Sequence, residues 1–69
     1  MSYNGWLYTV SVFKSNGSKG LHIDSERVFE DDEEARSFAE VTSKEDGVVS
    51  TVISGVASYV EYQNGKRVY

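Results

Sequence analysis

Residues 31–42 read Asp31-Asp32-Glu33-Glu34-Ala35-Arg36-Ser37-Phe38-Ala39-Glu40-Val41-Thr42 and hold the clearest helical pattern in the chain. Ala35, Phe38, Ala39 and Thr42 recur at i, i+3, i+4 and i+7, which puts them along one side of a helix. Asp31 stands where an N-cap belongs, and Glu34 follows at capping-box spacing. Asp32 and Glu33 fall in the first turn, where the helix dipole favours negative charge. The pattern predicts a short helix of about three turns ending near Thr42 or Ser43. Lys44-Glu45-Asp46-Gly47 reads as the loop out of it.

Strand patterns flank this helix on both sides. Upstream, Trp6, Tyr8, Val10 and Val12 alternate with Leu7, Thr9, Ser11 and Phe13, the period of a strand over Trp6 to Phe13. Lys14 to Gly20 contains Asn16-Gly17 and reads as a hairpin loop. A second strand is expected over Leu21 to Phe29, with Leu21, Ile23 and Phe29 on one face. Val28 is out of phase, which predicts a bulge or twist late in that strand. Downstream, Val48 to Ile53 and Val56 to Gln63 are β-rich, and Ser54-Gly55 between them reads as a hairpin turn or a glycine bulge. Asn64-Gly65 predicts a tight turn that sets Gln63 opposite Lys66 and Glu61 opposite Val68. The fold class that follows is α+β. A mostly antiparallel four- to five-stranded sheet, in the order β-β-α-β-β, carries one short helix on one face. Phe38 and Ala39 should press on the face that holds Trp6 and Tyr8, and Phe38 and Trp6 are the expected core residues.

The 69 residues form a single domain, 1–69, with no repeat or linker. A core this small supplies only a few kcal/mol of net stability, about 3–5. The absence of cysteine rules out disulfides and thiolate metal sites and fits a reducing cytoplasm. His22 is the single histidine, so an imidazole metal cage is excluded. The amino terminus has no basic start or apolar run of a signal peptide. The stretch from Val48 to Val60 is too short and too polar to span a bilayer. A soluble, cytoplasmic protein that avoids membranes is expected.

The net charge of −4 is unevenly spread. Residues 24–46 hold ten acids and three bases, whereas the remainder holds one acid, Glu61, and four bases. Such an acidic pole repels nucleic acid and anionic membrane and attracts basic protein.

The residue patterns of catalysis do not assemble in this sequence. His22, Asp24 and Ser25 are sequence neighbours, but a strand sends Ser25 to the opposite side from the other two. Glu30 to Glu34 are five successive acids with a common environment, unlike the separated carboxylate pair of acid–base catalysis. They also lack calcium-loop spacing, so their expected roles are capping, solubility and partner recognition. The glycines at 17 and 20 lack the ending and the helix context of a phosphate loop. No catalytic residue, cofactor or metal is expected, and an enzyme is the least favoured class.

Nine aromatics exceed what one short helix can cover. Cross-strand packing takes some, and exposed tyrosines suit a protein interface. The expected partner-binding residues are Glu30, Asp31, Asp32, Glu33, Glu34, Tyr59, Tyr62 and Tyr69. Stacking of single-stranded nucleic acid on the tyrosines is a weaker reading, because a basic groove is lacking.

In size, acidity and outline the chain resembles the small proteins that bacteriophages make to inhibit host polymerases, nucleases or toxins. The resemblance rests on architecture and composition, so it carries no residue roles with it. It implies an inhibitor or adaptor of a host or partner protein with a basic surface. The alternative is a self-associating structural protein or homodimer, joined through an exposed sheet edge at Lys66 to Tyr69 or at the strand from Trp6.

Overall fold

The computed structural model describes residues 7–16, 20–55 and 58–69. Trp6 and the centre of the first hairpin loop lie outside them. The described residues form β1 (Tyr8–Asn16), β2 (Gly20–Phe29), α1 (Asp32–Thr42), β3 (Val48–Gly55), β4 (Ser58–Gln63) and β5 (Lys66–Arg67). One five-stranded sheet results, in the order β2-β1-β3-β4-β5, with every neighbouring pair antiparallel. The α+β architecture expected from the sequence is therefore present. β2 and β3 flank β1 and run parallel to each other, so α1 must cross the face of β1 to join them.

The alternation in β1 decides which face the helix covers. Val10 is paired with Ile53, and Ile53 with Val60, giving an apolar row across three strands. Val10, Ala35, Ala39, Ile53, Val60 and Tyr62 form the buried core. Helix α1 presents Ala35, Ala39 and Thr42 to it, the stripe that the spacing predicts. The small alanines let the helix approach closely. Thr51, fully buried beneath it, donates its hydroxyl to the Ala39 carbonyl at 2.9 Å. Phe38 lies at the margin of the core, partly buried, its ring 5.3 Å from Phe29. The Arg27 guanidinium covers this aromatic pair, 5.4 Å from one ring centre and 5.2 Å from the other.

Several local expectations need correction. Asp31 is the N-cap in position and extended backbone, but its side chain makes no capping bond. The first helical bond is Ala35 N–H to the Asp31 carbonyl, which leaves the exposed amides of the first turn to water. The irregularity in β2 is in mid-strand: Val12 pairs with Ser25 and Phe13 with Ile23, so Asp24 is the extra residue. This bulge flips the face on which the alternation falls. Phe29 pairs with Tyr8 on the helix side, whereas Ile23 and Leu21 pair with Phe13 and Ser15 on the other side. Leu21 and Ile23 thus do not share a face with Phe29. Ser54-Gly55 is neither the turn nor a bulge in one long strand. Gly55 belongs to β3 and pairs with Ser58 of β4.

The last hairpin matches its sequence signal. Gln63 pairs with Lys66, and both Asn64 and Gly65 have positive φ, 54° and 82°. The Val68 N–H donates to the Glu61 carbonyl at 2.8 Å, past the end of β5. Ser43 fixes this hairpin to the helix exit. Its hydroxyl donates to the Glu40 carbonyl at 2.7 Å and accepts the Gly65 N–H at 2.8 Å.

Candidate functional site

Among the described residues no three His, Asp or Glu converge as metal ligands. Likewise, no helix among them is long and apolar enough to cross a membrane. The Nδ1 of His22 is 3.3 Å from the Gly20 carbonyl oxygen, while Asp24 pairs with Lys14 at 3.4 Å.

The acidic run surrounds the start of α1. Glu30, Asp31, Glu33 and Glu34 are exposed. Asp32 is half-buried, and the Arg36 Nε lies 3.2 Å from both of its carboxylate oxygens, one helical turn along. The tyrosines separate from this cluster. Tyr59 and Tyr69 are exposed and meet edge to face at 5.2 Å. Tyr62 is only 7% exposed and belongs to the core, so it is not part of the surface group expected for it. Tyr59 alternates with the buried Val60 and therefore points away from the helix. The acids and the exposed tyrosines thus occupy opposite sides of the sheet.

That second side has a relief set by residue size. β1 and β3 run down its middle and supply Thr9, Ser11, Ser50, Val52 and Ser54. β2 and β4 flank them with Leu21, Ile23, Val28 and Tyr59. Apart from Phe13 of β1, the middle strands carry smaller residues than the strands beside them, which leaves a trough. It includes an open depression of about 290 Å³ lined by Phe13, Leu21, Ser50, Val52, Tyr59 and Glu61. Ser11 and Ser50 are 9% and 5% exposed, although α1 lies on the opposite side of the sheet.

The carboxylates here are oriented by hydrogen bonds. Glu61 accepts from the Tyr59 hydroxyl at 3.3 Å and from Gln63 Nε2 at 2.9 Å. Ser11 donates to Glu26 at 3.2 Å. The Tyr59 hydroxyl is pushed above the usual tyrosine range. Desolvation by its neighbours is the largest cause, followed by the Glu61 carboxylate, which repels a phenolate and accepts the hydroxyl proton, and then by Tyr69. Tyr59 is therefore a neutral donor at physiological pH. Of the lining residues, only Tyr59 was expected to bind a partner. Phe13 on the second face of β1 was the available signal, but the trough also depends on β1 lying beside β3, which local pattern does not encode.

No protein-family model matches the chain, and no curated protein and no solved structure matches it either.

Proposed function

We propose that the chain is a small acidic protein-binding module that inhibits or adapts a partner with a basic surface. The supporting observation is the start of α1. Glu30, Asp31, Glu33 and Glu34 are exposed, and none takes part in an ion pair among the described residues. They extend from the end of the helix whose dipole already favours anions, and they can meet lysine and arginine without first breaking internal contacts. A charged pole of this kind accelerates encounter and selects partners more than it adds raw affinity.

Charge reversal at Glu33 and Glu34 tests this. Neither residue packs against the core, so Glu33→Lys/Glu34→Lys should remain folded, weakened by about 1–2 kcal/mol. A partner captured from lysate at low salt and released at high salt should bind this variant at least tenfold more weakly. Its association with the unaltered chain should also slow as salt rises. Equal affinity for both chains would refute the reading.

Self-association through an edge is the second reading. β1 lies between β2 and β3, so the strand from Trp6 is not an edge; the edges are β2 and the two-residue β5. β2 offers ten residues, but its bulge and its Asp24, Glu26 and Arg27 are features that blunt edge pairing. Sedimentation over a concentration series decides between the two.

A further inference from the structure

We propose that the trough on the uncovered face of the sheet receives an apolar side chain of the partner, flanked in the partner's sequence by lysine or arginine. This rests on the protein-binding reading and adds a second contact surface, remote from the acidic helix start.

Three observations converge on that occupant. Leu21, Ile23, Val28 and Tyr59 are each about half exposed, at 60%, 51%, 57% and 49%, on a single face. Of these, Leu21 and Tyr59 join Phe13 and Val52 around one depression, and apolar surface gathered in this way marks a contact site more than scattered single residues do. The trough is also shaped for one side chain. Phe13, Leu21, Ser50, Val52 and Tyr59 line its depression of about 290 Å³, which has room for a leucine-sized group.

Charge then selects among occupants. Glu61 lines the trough, and Glu26 stands across the same ladder row through Ser11 and Val52. Both carboxylates are already oriented by donors, and among the described residues no base lines the depression. A second copy of this face would bury carboxylate against carboxylate, which is costly without counter-charge. A basic flank instead pairs with them, while the apolar group displaces water from the trough.

Labelled full-length chain and three peptides provide the test, with amide shifts as the readout. The peptides are Gly-Lys-Leu-Lys-Gly, Gly-Glu-Leu-Glu-Gly and Gly-Lys-Ser-Lys-Gly. The first should shift the amides of Phe13, Leu21, Ser50, Val52 and Tyr59 at millimolar concentration, and the other two should bind several-fold more weakly. Glu61→Gln keeps the side-chain size, removes the charge and turns one accepting oxygen into a donor, and it should cut the preference for the lysine over the glutamate peptide about two- to fivefold. Leu21→Ser/Tyr59→Ser should lose peptide binding with its circular dichroism unchanged. If that variant unfolds, the Glu61→Gln preference still decides. Absence of shifts on this face, equal binding of the glutamate peptide, or a dimer that protects these amides would overturn the proposal. Glu33→Lys/Glu34→Lys should retain the peptide shifts, so failure here is distinct from failure of the helix-start surface.

Discussion

The two faces of this sheet are built from the same strands and reach low exposure by different means. On the helix side, Val10, Ile53 and Val60 are buried because α1 lies over them. On the other side, Ser11 and Ser50 are nearly as buried beside larger neighbours in the ladder, Glu26 and Val52 for Ser11 and Phe13 for Ser50. Loss of accessible surface is therefore not equivalent to membership in the core. The first face stabilises the fold through apolar area, while the second holds polar hydroxyls at the bottom of an apolar-walled trough.

The sharpest way to break this comparison is to shorten adjacent residues of β3 that point to opposite sides. Ile53→Ala should cost about 2–5 kcal/mol, comparable to the whole stability of so small a domain, and leave it largely unfolded. Val52→Ala should cost about 1 kcal/mol, chiefly through strand preference. Urea melts of the pair measure the difference, and equal losses would mean that the second face is a core as well.

Hydroxyls sharpen the contrast on a smaller scale. Thr51→Val keeps the shape but removes the bond to the Ala39 carbonyl, so a loss of about 1–2 kcal/mol is expected. Ser50→Ala, one residue earlier at the bottom of the trough, should change the melting point by much less. The smallest effect belongs to the trough walls. Leu21→Ser should shift stability by about 0.5 kcal/mol or less, as exposed substitutions do. A large loss would show that this side chain supports the fold.

Much of the helix-covered face was legible in the sequence because its signals are periodic. The alternation of Tyr8, Val10 and Val12 and the stripe of Ala35, Phe38, Ala39 and Thr42 locate that face from local pattern alone. Phe38 lies at the centre of that stripe and was expected in the core, but it reaches only the margin, because the alanines beside it let the helix come close enough to bury Ile53. The bulge was signalled by the phase of Val28, but its position at Asp24 was not, because neither glycine nor proline marks it. Of the candidate site, the exposed acids and Tyr59 and Tyr69 were legible as surface groups. Tyr62 was not recognised as buried, because its placement depends on which face β4 turns towards the helix. The trough escaped notice because it is a property of strand order: Ser11 and Ser50 are ordinary polar positions until β1 and β3 become neighbours.

Ser43 has a kinetic consequence. Its one hydroxyl joins the last turn of α1 to an amide 22 residues further along the chain. The Gly65 amide sits in a tight turn that would ordinarily exchange its proton with solvent rapidly. Held by Ser43, its exchange should be slower than in an open turn, and the terminal hairpin and the helix exit should open together.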